Sequence, residues 1–190
     1  MARANRLQTA SQENHRTESR RDSAARAPVA KVLAEFGSVL ECSGLHKALG
    51  YLNARVRFRF TGVYRFEPTT LVNECLWDRE NPSLDQCGTV LPLPDTYCVI
   101  ARTLGKAFQT ENAPEDPRLE GHSARHTVIS YNGMPIRMLD GLIAGVLCHY
   151  DLRPRILPED ELQVLECAAA RIAVWSGPSL SAAARSGRAP

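Results

Sequence analysis

Four side chains with anion-binding chemistry lie close together between positions 118 and 126. They are two arginines and two histidines: Arg118, His122, Arg125 and His126. A guanidinium offers a fork of N–H donors that matches a carboxylate, nitrate or phosphate group. If the four converge on a cavity, they favour a ligand with an anionic group. The alternative is that Arg118 only pairs with Asp116 or Glu120 at the surface, where an ion pair contributes little.

Thiols are the second kind of reactive group in the chain. Six cysteines are present and none forms a Cys-x-x-Cys pair: Cys42, Cys75, Cys87, Cys98, Cys148 and Cys167. Several lie inside apolar strand or helix patterns, where a cysteine behaves as a small buried hydrophobe. A redox-active pair remains open as an alternative, and Cys87 with Cys98 is the combination that we consider for a thiol switch.

Hydrophobic periodicity predicts the elements that position these groups. Apolar residues recur at helical spacing over 28–41, 44–53 and 97–105, and Pro158 followed by three acidic residues begins a last helix. Alternating patterns predict strands, with a hairpin turn at Asp140-Gly141: 54–67, 69–78, 106–112, 126–138 and 142–152. The stretch 79–94 is rich in Pro, Asn and Asp and predicts a loop. Because hairpins dominate, we expect an α+β domain with a mainly antiparallel sheet of five to six strands and helices on its faces.

The chain resembles the GAF domain family in three stretches that follow in order. They are PDTYCVIARTLGKAFQTENAPEDPRLEGH, VISYNGMPIRMLDGLIAGVLCHYDLRPR and PEDELQVLECAAARIA. The first is similar to the family's pocket helix, the strand after it and an Asp-Pro-Arg loop. The second is similar to its Asp-Gly hairpin, and the third to its closing helix. The resemblance implies a GAF/PAS-like fold and a stand-alone sensory protein of bacterial type, with a pocket between the sheet and residues 95–126.

The expected function is that of a small-molecule-sensing domain in signal transduction, not of an enzyme. We expect the ligand to contact seven residues of this pocket: Trp77, Tyr97, Cys98, Arg118, His122, His126 and Tyr131. Aromatic side chains there are as consistent with cavity walls as with the core of the sheet. The signal would leave through the terminal helices or through an output protein that binds in trans. No metal or cofactor is required for this function.

Other ligands of the family define the alternatives. Haem is one, with His122 or His126 as the axial ligand, whereas His149 is expected to face away from the pocket. The residues YCVI around Cys98 do not resemble a bilin-attachment motif, and no cyclic-nucleotide pattern is found. Enzymatic members reduce free methionine sulfoxide with a cysteine that follows a His in the loop after the third strand. Here that loop reads GHSARH and contains no cysteine, which argues against this activity.

Composition bounds the domain organisation and the partners. Residues 1–27 are expected to be a disordered basic arm, 28–176 the sensory domain and 177–190 a disordered tail. A net charge of +2 gives no polycation character, so we expect no nucleic-acid partner. No apolar run approaches the roughly 18 residues that span a bilayer, and no signal peptide is evident. We therefore expect a cytoplasmic protein with no membrane partner.

Both terminal helices carry apolar residues beyond a single face. On the first helix these are Val29, Phe36 and Val39, and on the last they are Val164, Ala168 and Trp175. Such residues would be buried against a symmetry-related copy in a helix bundle. The sequence therefore predicts a homodimer.

Overall fold

The computed structural model describes residues 27–176, so the predicted arm and tail lie outside the described residues, apart from Ala27. Three helices and six strands make up the described chain. In order they are α1 (Val29–Ala54), β1 (Phe60–Phe66), β2 (Thr70–Asp78), β3 (Val90–Pro92), α2 (Cys98–Leu104), β4 (Phe108–Thr110), β5 (Ser130–Arg137), β6 (Ile143–Asp151) and α3 (Glu159–Ser176). Short 3-10 turns at Ala113–Glu115, Pro117–Leu119 and Ser123–His126 connect β4 to β5. None of these described helices is long and apolar enough to cross a membrane.

The six strands form one antiparallel sheet in the order β3-β2-β1-β6-β5-β4. Two hairpins, β1–β2 and β5–β6, are joined by the pairing of β1 with β6 at the centre of the sheet. The β5–β6 turn lies at Asp140-Gly141 as predicted, and Gly141 has a φ of 83°, a conformation that favours glycine. This architecture confirms the predicted α+β fold with its mainly antiparallel sheet.

One face of the sheet is covered by α1 and α3. The two helices predicted over 28–41 and 44–53 form the single run α1, which is interrupted at Gly44 with φ 79° and ψ 175°. Phe36 of α1 and Leu165 of α3 are fully buried between the helices and the sheet. Arg55, directly after α1, donates to the buried carboxylate of Glu161 in α3 at 2.5 Å. The terminal helices are therefore held to each other as well as to the sheet.

Two predictions of secondary structure were wrong. The strand predicted from residue 54 begins only at Phe60, although Val56 and Phe58 are buried as the alternating pattern indicated. They belong to an irregular segment whose carbonyls are satisfied by a side chain, since the amide of Asn53 donates to the Phe58 and Arg59 oxygens. The stretch 79–94, predicted as a loop, contains the short edge strand β3.

Most of the side chains that were expected at a dimer interface pack into the protomer's own core instead. Phe36, Val164 and Ala168 are at most 2% exposed because they pack inside the protomer's own helix–sheet core. Val29 and Val39 are half-buried against the same core, and Trp175 is 45% exposed. Of the six residues, Trp175 therefore offers the largest free apolar surface.

Gly145 in β6 is predicted to be required for close approach of β1. A Cβ built at this position would lie 2.4 Å from the backbone oxygen of Tyr64, and a backbone atom of a central strand cannot move aside cheaply. We expect Gly145→Ala to lower the free energy of unfolding by about 1–3 kcal/mol in urea denaturation. Gly37→Ala in α1 is the control, because its new methyl group would meet only the flexible end of Arg171. Equal destabilisation by both variants would contradict this account.

Candidate functional site

A cavity of about 460 Å³ lies on the face of the sheet opposite α1 and α3. It reaches the surface beside the exposed residues Leu91, Pro92 and Asp95, and Cys148 lies at its floor. The described residues that line it come from the central strands, from the segment before and at the start of α2, and from the 3-10 loop: Tyr64, Leu71, Leu91, Pro92, Asp95, Thr96, Tyr97, Cys98, Ser123, Ala124, Thr127, Val128, Tyr131, Cys148 and Tyr150. Asp95 is the only charged side chain among them.

Two glycines shape the floor of this cavity. Gly62 and Gly133 pair with Cys148 from either side, so all three residues share one face of the sheet. A Cβ on Gly133 would lie 2.1 Å from the Tyr131 hydroxyl, and a Cβ on Gly62 would lie 2.7 Å from the Tyr64 ring. Both aromatic rings therefore lie flat along the strands, over positions that have no side chain. This arrangement produces a shallow aromatic floor with Cys148 at its centre.

The phenol groups of the floor are neutral and hydrogen-bonded. The hydroxyls of Tyr64 and Tyr150 lie 3.0 Å apart and share a hydrogen bond. Burial raises the pKa of both phenols well above the ordinary value, and it raises that of Tyr97 to about 12. Tyr97 donates from its hydroxyl to the Val128 carbonyl at 3.2 Å, which ties α2 to the 3-10 loop. The cavity thus offers neutral donors and acceptors rather than fixed charge.

Two thiols meet at the bottom of the cavity. The sulfur of Cys98, at the start of α2, accepts a hydrogen bond from the Tyr131 hydroxyl at 3.2 Å, and Cys148 is its neighbouring thiol in the cavity. Burial acts to raise the pKa of Cys98, but hydrogen bonding with Cys148 and Tyr131 outweighs burial and lowers that pKa below its ordinary value. Burial and the hydrogen bond to Cys98 raise the pKa of Cys148. The two thiols are therefore chemically unequal.

Two arginines of the loop that joins β4 to β5 (the cationic loop, residues 111–129) lie outside the cavity, and one of them, Arg118, was expected to contact the ligand. Arg118 is 59% exposed and donates to the Asp116 carboxylate and to the Gln109 carbonyl, with its guanidinium over the Phe108 ring. Arg125 donates to the carbonyls of Ala113 and Pro114. Both side chains therefore direct N–H donors at nearby backbone carbonyls and hold that backbone in place.

The histidines do not fit haem ligation. The Nδ1 atom of His122 accepts from the Ala124 N–H at 3.1 Å, which fixes the ring within the loop, and its buried Nε2 atom has no hydrogen-bond partner among the described residues. The His122 ring packs against the Tyr97 ring, with the two ring centroids 4.7 Å apart, and it does not line the cavity. His126 is exposed. His149 lies on the opposite face of the sheet, hydrogen-bonded to Thr61, and burial lowers its pKa to about 3.

Three of the seven predicted ligand residues line the cavity: Tyr97, Cys98 and Tyr131. Trp77 does not, because it lies on the helix side of the sheet, where its ring fills the space over Gly50 in α1. Sequence reasoning missed Tyr64, Tyr150 and Cys148. A signal for Tyr64 was present in the sequence. Tyr64 lies two residues from Gly62, as Tyr131 does from Gly133, and residues two apart in a strand share a face.

Comparison with known proteins identifies the class to which this architecture belongs. The GAF domain family matches residues 30–174, and the chain is a member of that family. A search of curated protein sequences finds no match. Within residues 27–176, no cluster of three or more His, Cys, Asp or Glu side chains could hold a metal ion.

Several solved structures share the fold. The GAF domain of an Acinetobacter phosphoenolpyruvate-protein phosphotransferase has a TM-score of 0.64 at 14% identity, over 85% of this chain and 99% of that one. Free methionine-R-sulfoxide reductase from Neisseria meningitidis, solved with its substrate, has a TM-score of 0.60 at 18% identity, over 84% and 92%. The chromophore-binding domain of Stigmatella aurantiaca phytochrome P1 has a TM-score of 0.65 at 12% identity, over 80% and 62%. At these identities the similarity shows the fold alone.

We predict that Arg118 stabilises the loop and takes no part in ligand binding. The hydrogen bond from Arg118 lowers the pKa of Asp116 to about 2, so the pair's stabilisation is present above about pH 4 and is lost as the pH falls through 2. Arg118→Ala should raise the Asp116 pKa towards 3.9 in an NMR titration. At pH 7 it should lower the free energy of unfolding by about 0.5–1 kcal/mol, since an exposed pair is screened by water.

The control for this variant is Lys106→Ala, which removes an exposed cation near α2. It should leave the Asp116 pKa and the stability unchanged. An unchanged Asp116 pKa in Arg118→Ala, or loss of binding in the cavity, would refute the structural role assigned to Arg118.

Proposed function

We propose that this GAF domain is a sensor that binds a small, uncharged and largely apolar molecule in the cavity floored by Tyr64, Tyr131 and Tyr150. The observation that carries the proposal is the cavity itself, which is about 460 Å³ in volume and lined mainly by aromatic and aliphatic side chains. Concave sites of this size and composition, with a few polar groups to fix orientation, are typical of small-molecule binding.

The polar groups of the cavity favour a neutral ligand over an anion. Tyrosine hydroxyls can donate to a carbonyl or accept from an N–H or O–H group, and their raised pKa values keep them uncharged. The one carboxylate, Asp95, lies at the mouth, where it accepts from the Ser123 hydroxyl at 2.8 Å. An anion would meet this negative charge and no compensating cation from the described lining residues. The proposal therefore replaces the anionic ligand expected from the cationic loop.

Signalling would use the two faces of the central strands. In β6, Cys148 lines the cavity, whereas the adjacent Leu147 packs into the core beneath α1 and α3. In β1, Tyr64 lines the cavity, whereas the adjacent Val63 packs into the core beneath the helices. A ligand that displaces these strands would therefore shift the packing of the terminal helices. We propose that the helices pass this change to a second copy or to an output protein, and the exposed Trp175 offers a contact surface.

A thiol-dependent reduction of methionine sulfoxide is the enzymatic alternative. The similarity to the Neisseria reductase and the presence of Cys98 in the cavity favour it. Against it, the loop GHSARH contains no cysteine, and its Arg125 side chain is engaged with the carbonyls of Ala113 and Pro114. We therefore propose a binding module, and turnover of free methionine sulfoxide by the reduced protein would contradict that proposal.

Filling the cavity should weaken ligand binding. N-phenyl-1-naphthylamine, a neutral apolar fluorophore, serves as the probe, and its fluorescence is titrated against reduced protein. Val128→Trp places a larger side chain among the lining residues and should weaken binding at least about tenfold by excluding the probe. Val174→Trp, on the exposed end of α3, is the matched control and should bind as the parent does.

Charge selectivity is read in the same assay by competition. Phenol should displace the probe at lower concentration than benzoate, since only benzoate brings a negative charge towards Asp95. Equal probe binding by both tryptophan variants, or stronger competition by benzoate, would refute the proposed site or its proposed ligand class, respectively.

A further inference from the structure

Cys98 and Cys148 differ from the other cysteines of the chain in where they lie. Both line the cavity although they are only 4% and 1% exposed. The remaining four are either exposed or half-buried elsewhere: Cys42, Cys75, Cys87 and Cys167. Cys87 is exposed on the 79–89 loop and does not line the cavity, so it is not the partner of Cys98. The thiol pair that the fold brings together is Cys98 with Cys148.

The hydrogen bonds around this pair assign a different role to each sulfur. Cys98 accepts from the Tyr131 hydroxyl at 3.2 Å, and Cys148 is the neighbouring thiol of the same sulfur. Donors directed at a sulfur stabilise its thiolate, which is the nucleophilic form. Burial raises the pKa of Cys148 and so favours its protonated form.

We propose that the cavity is a peroxide-reactive site in which an organic hydroperoxide oxidises Cys98 and Cys148 then closes a disulfide with it. The apolar walls suit the alkyl group of such an oxidant, and the Tyr131 hydroxyl beside the reacting sulfur can donate to the oxygen that leaves. This inference shares the cavity with the proposed function but does not require that the sensory ligand bind.

The reaction balances in two steps. The Cys98 thiolate attacks the terminal oxygen of the hydroperoxide, the O–O bond breaks, and the alkoxide takes up the proton that Cys98 has lost and leaves as an alcohol. Cys98 is now a sulfenic acid. The Cys148 sulfur attacks the Cys98 sulfur, the S–O bond breaks, and hydroxide leaves as water with the proton of Cys148. Two thiols and one hydroperoxide thus give one disulfide, one alcohol and one water, with two electrons passing to the oxidant.

Such a disulfide would link the first residue of α2 to the centre of β6. It would fix the start of α2 to the sheet and leave less room in the cavity, so that oxidation and ligand entry would oppose each other. The same cavity would then report the presence of an oxidant as well as that of a ligand.

The test uses the full chain, reduced and freed of reductant, with one equivalent of tert-butyl hydroperoxide. Peptide mapping by mass spectrometry without reduction should find Cys98 linked to Cys148 as the first oxidation product. Oxidation of the exposed Cys42 and Cys87 while Cys98 and Cys148 stay reduced would overturn the proposal. Free methionine-R-sulfoxide is run in parallel, and faster disulfide formation with the sulfoxide would overturn the assigned class of oxidant.

Variants test the separate roles of the two sulfurs. Cys148→Ala should stop the reaction at a Cys98 sulfenic acid that dimedone traps, whereas Cys98→Ala should give no dimedone adduct on Cys148. Tyr131→Phe removes a donor to the thiolate and should slow oxidation about tenfold. Cys42→Ala is the matched control and should react at the parent rate. A dimedone adduct on Cys148 in Cys98→Ala would overturn the assignment of Cys98 as the nucleophile.

The outcome is separable from that of the proposed function. Binding of the naphthylamine probe by reduced protein without disulfide formation would refute only the redox inference. Disulfide formation in a protein that binds no probe would refute only the proposed ligand site.

Discussion

The absence of side chains at Gly62 and Gly133 is the constraint on which the candidate site depends. Both residues lie beside Cys148 in the centre of the sheet, and the rings of Tyr64 and Tyr131 lie across them. A methyl group at either position would lift a ring from the sheet and into the cavity. With the rings flat, Tyr64 reaches Tyr150 and Tyr131 reaches Cys98. The cavity, its hydrogen bonds and its thiol pair thus follow from backbone positions that contribute no side-chain contacts.

The loop that covers the cavity explains why the cavity is mostly uncharged. Residues 111–129 carry 3-10 turns rather than a regular helix, so their carbonyls need donors from elsewhere. Arg125 supplies two of them, while Arg118 secures the preceding segment through Asp116 and Gln109. The positive charges that suggested an anion site in the sequence are therefore used to build the cover. What remains facing the cavity is an uncharged side of the loop, with Ser123, Ala124, Thr127 and Val128.

The sequence predicted elements whose signals are local. Helical periodicity located α1, α2 and α3, and the Asp140-Gly141 turn located the β5–β6 hairpin. The prediction of a strand over residues 54–59 was wrong because Val56 and Phe58 alternate in a buried irregular segment, where the Asn53 side chain replaces a strand's hydrogen bonds. Periodicity reports burial there, and burial does not require a strand.

The site was predicted less completely because it depends on which face of the sheet each residue occupies. An alternating strand shows that Trp77 and Leu76 point in opposite directions, but not which direction leads to the cavity. Pairing of β1 with β6 decides this, and it places Tyr64 and Cys148 on the cavity face. Long-range pairing cannot be read from one strand alone. The direction of Arg118 likewise depends on the folded path of its loop.

The most direct test of a ligand site on the tyrosine floor is an NMR titration of tyrosine-labelled protein with the naphthylamine probe. The chain has five tyrosines, and four of them line the cavity: Tyr64, Tyr97, Tyr131 and Tyr150. Tyr51 lies on the helix side, where its hydroxyl donates to Glu35, and serves as the internal reference. The account predicts saturable shifts in the four ring signals with none at Tyr51. Probe binding that leaves those four signals unmoved, or that moves Tyr51 alone, would contradict it.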